Sequence, residues 1–339
     1  MSSYQLHNPR HIKEAVDMMT NLEDAYYISG GTKIMPRITQ GRIAPKHLIS
    51  LDNMADLKSI TKLNGVRLGS GLTLTQVKEN DLVQNQYTAL YDAICSLSLS
   101  KKEERGTLGG DLCSAYPFAL MACPTLLFDT EVAAAGMYPA THPEGMGVKG
   151  GFFGSRIIRI DSFFATRDST ILKKDELVKE FILPFLPDHT GSAFIKIKRG
   201  KSAYLGITGI GARITVSSQD RFAASRKVLG GKGDLIGILD RFAEGNLACK
   251  DVRLVVAHSR NLPRRLRSGE DALNGNVLSG TVFSKAIQSA MVETMTDIKG
   301  KTEPWYLQEM VKVLLMRTIM KAIDRGIRPE KKIRPEVAF

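Results

Sequence analysis

Residues 29–37 read Ser-Gly-Gly-Thr-Lys-Ile-Met-Pro-Arg, and residues 105–113 read Arg-Gly-Thr-Leu-Gly-Gly-Asp-Leu-Cys. Each stretch is a glycine pair flanked by hydroxyls, Ser29 and Thr32 in the first and Thr107 in the second. A glycine pair lets the backbone approach a phosphate with no Cβ in the way and lets successive N–H groups point inward as an anion nest, while hydroxyls add donors. The chemistry such turns fit is diphosphate binding. A tight turn that needs positive φ explains either pair alone just as well. Neither stretch is a Walker A motif or a G-x-G-x-x-G fingerprint.

The surroundings alternate helix and strand. Ile12, Ala15, Val16, Met19 and Leu22 have helical spacing, and Ala25–Ile28 is a strand-like run that breaks at the first glycine pair. Residues 33–38 follow, up to Gly41; Leu48–Leu51 and Val66–Gly69 read as short strands, and residues 75–84 and 87–97 as helices. Beyond the second pair, residues 117–128 read as a buried helix, 131–135 as a strand and 137–156, rich in Gly and Pro, as a surface loop. Short elements over 157–164 and 176–183 lead to Pro184 and Pro187, which mark a linker. From Ala193 the pattern is strand-rich, with candidates at 193–199, 207–216 and 251–259, helices at 233–243 and 281–294, and a last amphipathic helix through Tyr306, Met310, Val313, Leu314 and Arg317 to about Ile323. A basic tail follows.

Composition bounds the function. The chain has 339 residues, 43% of them hydrophobic and 24% charged, which is a globular composition and enough for about two domains. Lys and Arg number 47 against 35 Asp and Glu, a formal net charge of +12. The basic residues are scattered, with clusters at Lys101-Lys102, Arg264-Arg265-Arg267 and Arg328–Arg334 and no interleaved aromatics, which favours a basic exterior or an acidic protein partner over nucleic acid. Cys95, Cys113, Cys123 and Cys249 lack zinc or CxxC spacing and read as reduced thiols. The six histidines show no HxH or HExxH pattern and no GxSxG elbow appears, so metal hydrolysis and serine-triad chemistry have no support. With no export signal and no apolar run of about 18 residues, the expectation is a cytoplasmic protein with no membrane span. Trp305 reads as a packing anchor, and Met18-Met19, Met310, Met316 and Met320 as core or subunit interface.

The two glycine motifs in this order resemble the FAD-binding subunit of the molybdenum hydroxylase family, whose members include xanthine dehydrogenase, carbon monoxide dehydrogenase and 4-hydroxybenzoyl-CoA reductase. Residues 65–77, 175–184, 196–199, 272–276 and 297–319 extend the resemblance over nearly the whole chain. It implies an α+β fold: a two-part FAD-binding domain of the vanillyl-alcohol-oxidase (PCMH) type over 1–186, with subdomains of about 1–55 and 56–186, then the C-terminal α+β domain of CO dehydrogenase flavoproteins over 190–300, and a helix with a basic tail over 301–339. By the same resemblance, Ser29, Gly30, Gly31, Thr32, Lys33 and Ile34, with Thr107, Leu108, Gly109, Gly110 and Asp111, hold the FAD diphosphate and ribityl chain. Leu177 packs near the flavin by backbone contact, and Lys196 is the flavin-proximal lysine, with a solvated strand lysine as its plain alternative.

The implied role is electron transfer. FAD exchanges electrons with the iron–sulfur clusters of a 2Fe–2S small subunit and with NAD or another acceptor, while the organic substrate reacts at the molybdenum cofactor of a large subunit. No catalytic side chain and no metal ligand is expected here. Three departures stand out. Relatives usually read P-x-x-D after the second glycine motif, where this chain has Pro117-Phe118-Ala119-Leu120 and no carboxylate before Asp129. The acidic residue often found in the strand after Lys196 is replaced, by Ala203 or Tyr204. Residues 137–156 hold no cysteine, so no 4Fe–4S cluster is expected. The first departure supports an alternative, a flavin-free scaffold paralogue within a larger complex. A stand-alone FAD oxidase would be expected to carry a large capping domain and often a His or Cys placed for covalent flavin attachment; the second domain here is small, and the Gly-Gly turns themselves offer no such residue.

Overall fold

Three short strands begin the chain: β1 (Gln5–His7), β2 (Ala25–Ile28) and β3 (His47–Ser50) form a parallel sheet in the order β1-β3-β2, with Ala25, Leu48 and Ile49 buried. The computed structural model describes residues 3–97, 105–114, 121–139, 151–166, 169–197, 207–217, 247–258, 261–295 and 304–327. By its contacts the chain divides into a first unit of residues 1–77, 98–121 and 129–185 and a second of residues 78–97, 122–128 and 186–339.

In the first unit, the helix Ile12–Asn21 buries Ile12, Ala15, Val16 and Met19, the stripe its spacing predicts, against Ile49, Met54, Leu57, Ala135 and Leu177. A second sheet is antiparallel. Its strands are β4 (Ile60–Lys62), β5 (Val66–Gly69), β6 (Glu131–Pro139) and β7 (Gly151–Arg159); after the hairpin β8 (Phe164–Thr166) and β9 (Ser169–Thr170) comes β10 (Leu177–Leu183), and the order is β4-β5-β10-β6-β7. The surface loop expected over 137–156 is therefore wrong at both ends, because β6 runs on to Pro139 and pairs residue by residue with β7 from Gly151. Gly154, one of the glycines that suggested a loop, is a strand glycine at a close approach: a Cβ there would lie 2.9 Å from the Phe152 ring and 3.4 Å from that of Tyr138.

Glu176 is the polar anchor of this sheet. Its carboxylate, with no exposed side-chain surface, accepts from Arg156 Nε at 2.7 Å and Nη2 at 2.9 Å, from Tyr138 Oη at 2.9 Å and from the Lys173 N–H at 2.8 Å. Burial pushes its titration up, but the Arg156, Lys173 and Tyr138 donors outweigh burial and hold it below the usual carboxylate range. A depressed value means stability that is present above the ordinary carboxylate pKa and lost as the pH falls through the folded one. Glu176→Gln is expected to lower the melting temperature at pH 7, and the gap from wild type should shrink towards pH 3, as followed by thermal unfolding across pH. A gap that is constant with pH would refute this account.

The second unit stacks β11 (Thr190–Lys196), β12 (Ile207–Val216), β13 (Cys249–His258) and β14 (Arg264–Arg265) as an antiparallel sheet in chain order. One face packs on the helices Gly280–Met295 and Pro304–Ile327 through Ile210, Ile214, Leu254, Phe283, Leu315 and Ile319. Met310, Met316 and Met320 pack partly buried against this core, as their spacing predicts, but Trp305 is 69% exposed and is no anchor. The helix expected over 75–84 is two helices, Leu74–Glu79 and Asp81–Asn85, because the Asn80 side-chain oxygen Oδ1 accepts the N–H groups of Leu82 and Val83 and restarts the chain as an N-cap. Of the helix expected over 117–128, Ala122–Leu127 is helical and 117–120 lie outside the described residues, as do 233–243 and the tail from 328. All four cysteines are free.

Candidate functional site

The two glycine turns meet in the first unit. Gly30 and Gly31 have φ of +63° and +71°, as the sequence requires of a turn there. A Cβ on Gly30 would sit 2.0 Å from the Arg105 carbonyl oxygen, so this glycine lets the first turn lie directly on the start of the second. Gly110 faces the same junction, its absent Cβ 3.7 Å from the Ser29 carbonyl oxygen and 2.9 Å from Thr107 Oγ1. Thr107 caps the short helix Leu108–Cys113, its hydroxyl accepting from the Gly110 N–H at 3.1 Å.

Two hollows flank the Gly30-Gly31-Thr32 turn and share Gly31, Thr32, Pro36 and Gln40 in their walls. One, of about 780 Å³, is lined by Tyr4, Leu6, Leu48, Asp52 and Arg105 among others. The other, of about 790 Å³, brings Ser29, Thr32, Lys33, Ile34 and Gly110 together with Tyr26, Arg37, Arg42, Cys113 and Ser114. Both volumes lie within the roughly 300–1,000 Å³ of small-molecule sites. Lys33, Arg37 and Arg42 line the second hollow and no carboxylate does, so its field favours an anion. Asp111 lies just beneath: burial raises its carboxyl, while Lys33 Nζ at 3.9 Å and the Met121 N–H at 3.2 Å oppose that rise.

The anion nest is where the structure departs from expectation. The Gly30 N–H donates to Asp52 Oδ1 at 3.2 Å and the Gly31 N–H to the Ser29 carbonyl at 2.7 Å. In the second turn the N–H groups of Leu108, Gly109, Gly110 and Asp111 donate to the Leu72 carbonyl, the Ser70 carbonyl, Thr107 Oγ1 and the Thr107 carbonyl. The glycines provide close approach, but their amides are already engaged inside the protein. Thr32 keeps both its N–H and its hydroxyl without a partner among the described residues.

Thr107, Leu108 and Gly109 build the second turn without lining either hollow, Leu108 and Gly109 being buried. The Leu177 side chain belongs to the core, leaving only its backbone for any ligand contact. Lys196 lies in the second unit, at the end of β11, with its ammonium 3.3 Å from the Ser96 carbonyl. Pro117–Leu120, where relatives carry an aspartate, and Ala203-Tyr204 lie outside the described residues. Arg37 and Arg42 are the residues the motif reading missed; their signal was a run of cations at 33, 37 and 42 directly after a glycine turn.

A family model described as the FAD binding domain in molybdopterin dehydrogenase matches residues 2–141, the segment that contains both turns. The match to this family covers 140 of the 339 residues. FAD is the cofactor of such a domain. Among curated relatives, the xanthine dehydrogenase FAD-binding subunit of Escherichia coli O157:H7 is 26% identical over 193 residues, 56% of this chain and 61% of that protein. The chain thus matches less than two thirds of that relative's length. The carbon monoxide dehydrogenase medium chain of Afipia carboxidovorans is 24% identical over 330 residues, 96% of this chain and 98% of that one. Among solved structures, a chain of the reconstituted CO dehydrogenase from Oligotropha carboxidovorans superposes with a TM-score of 0.72 at 20% identity, covering 95% of this chain and 98% of that one. The α+β fold that the resemblance implied is the fold found. Among the described residues, no helix is long and apolar enough to cross a membrane and no group of three metal-ligating side chains occurs.

Proposed function

We propose that the chain is the flavin-carrying, electron-transfer subunit of a molybdenum-dependent hydroxylase or dehydrogenase, working beside a 2Fe–2S subunit and a molybdenum-cofactor subunit, with NAD or another small acceptor at the far end. The observation that carries this reading is the junction of two glycine turns over a cation-lined hollow inside a domain of the FAD-binding family. The residues fit the cofactor: Gly30 and Gly110 leave room that a Cβ would fill, and Ser29, Thr32 and Lys33 present hydroxyl and ammonium groups to the hollow. Gly109, Asp111 and Thr107 hold the second turn in shape, and the backbone at Leu177 is proposed to complete the cofactor's surroundings within the first unit. FAD, when bound, supplies the ability to exchange one or two electrons. The protein's own contribution is to bind and orient it. Two relatives of this chain, a carbon monoxide dehydrogenase medium chain and a nicotinate dehydrogenase FAD-subunit, are named for different substrates, which supports a substrate set by other chains of the complex.

The test is the visible spectrum and flavin content of the purified chain, with and without added FAD. One FAD per chain, displaced when Gly110→Val pushes a branched side chain into Thr107 Oγ1 and the Ser29 carbonyl, is the expected result. Absence of flavin even in excess FAD would replace this reading with the scaffold, to which the substitution at Leu120 points.

A further inference from the structure

The engaged amides leave a question of charge. Two phosphates brought to the glycine junction carry about two negative charges, and a hollow that offers them few free backbone donors must meet that charge in another way. Six N–H groups of the two turns already donate to Asp52, Ser29, Leu72, Ser70 and Thr107. What remains on the hollow's wall is cationic. Arg37 and Arg42 both line it, are exposed, and make no hydrogen bond or ion pair through their guanidinium groups among the described residues. They are tied to each other through the backbone, the Arg42 N–H donating to the Arg37 carbonyl at 2.8 Å. That bond closes the chain after the helix Ile34–Thr39 and places both stems beside Lys33 on the rim.

We infer that Arg37 and Arg42, with Lys33, form a side-chain diphosphate clamp at the first glycine turn, replacing the backbone nest that the turn's own hydrogen bonds have consumed. Guanidinium groups suit the task because each presents a planar fork of donors to phosphate oxygens. Lys33 is the weaker member, since Asp111 lies 3.9 Å from its ammonium and offsets part of its charge. Thr32 adds an N–H and a hydroxyl, and Ser29 a hydroxyl, that have no partner among the described residues. The inference rests on the FAD reading for the identity of the natural ligand, but the clamp itself recognises a diphosphate, whether it comes from the flavin dinucleotide or from a free nucleoside diphosphate.

The experiment titrates the full chain by calorimetry with four probes, FAD, ADP, inorganic pyrophosphate and riboflavin, for wild type and for Arg37→Gln, Arg42→Gln and the double variant. Each substitution is expected to weaken FAD about tenfold, and the pair more, because each removes a charge-assisted contact. Wild-type affinity should fall on raising the salt from about 0.05 M to about 0.5 M, and the fall should flatten in the double variant. Riboflavin binding, which has no phosphate to lose, should not respond to either change. ADP and pyrophosphate separate the sources: if they bind and lose affinity in the variants while FAD does not bind at all, the clamp stands and the flavin reading falls. If FAD binds one to one with the same affinity and salt response in the double variant, the clamp is overturned and the flavin reading stands. If no probe binds, both fall. Unchanged thermal unfolding of the variants shows that the folds compared are equal, as expected for two exposed side chains.

Discussion

Gly30→Ala is expected to abolish flavin retention while Gly41→Ala leaves it. Both glycines have positive φ, +63° and +66°, so an alanine pays a similar backbone strain at either, roughly 1 kcal/mol. They differ in what the new methyl meets. At Gly41 nothing lies within 4 Å, whereas at Gly30 the methyl would overlap the Arg105 carbonyl, 2.0 Å from its oxygen and 2.9 Å from its carbon. No rotamer relieves a backbone clash; one turn must move off the other. Such overpacking costs about 1–3 kcal/mol or more, and here the cost falls on the junction that shapes the hollow. With the strain added, the loss of affinity should exceed about 100-fold. Flavin-to-protein absorbance after gel filtration, with melting temperatures of both variants, measures it. Equal flavin content in the two variants would mean that the junction of the turns is irrelevant to the cofactor.

Asp92→Ala carries the largest expected loss of stability. The Asp92 carboxylate is buried in the second unit and joins three elements: Arg325 donates to it through Nη1 at 2.6 Å and Nη2 at 2.9 Å, the Phe194 N–H at 3.1 Å, and Lys321 Nζ lies 3.7 Å away. The helices Thr88–Cys95 and Pro304–Ile327 are thus pinned to β11, with Arg325 also donating to the Ser192 carbonyl at 2.7 Å. Removing the carboxylate strands two nearly buried cations and a strand N–H, a change that costs about 3–5 kcal/mol in comparable pairs. For a unit of this size the melting temperature should fall on the order of 10 °C. Glu309→Ala is the control, because it breaks only an exposed pair with Lys312 at 3.9 Å and should cost under about 0.5 kcal/mol. A melting temperature for Asp92→Ala within a degree or two of the control would show that the network contributes little.

Much of the fold was legible from local pattern. The helix Ile12–Asn21, β12 and the helix Gly280–Met295 fall within a residue or two of where apolar spacing puts them, since burial of one face is the force that both sets the spacing and forms the element. The misreadings came where a residue's meaning depended on the contact it makes rather than on its type. Gly154 looks like a loop residue until the Phe152 and Tyr138 rings are found against it. Asn80 looks like an ordinary helix position until its side-chain oxygen is seen restarting the chain.

The candidate site divides along the same line. The glycine pairs at 30-31 and 109-110 could be read directly, because positive φ and close approach are demands that glycine alone meets freely, and such demands show at single positions. The resemblance of the two motifs named the cofactor. The sequence could not show that Ser70, Leu72 and Asp52 would take the amides of those turns, nor that Arg37 and Arg42 would border one hollow with Lys33. Backbone conformation is a local property and is written locally. Which acceptor a given N–H finds, as Gly30 finds Asp52 and Gly109 finds Ser70, is settled only when segments some twenty to forty residues apart in the chain close on one another, and the tertiary structure alone decides that.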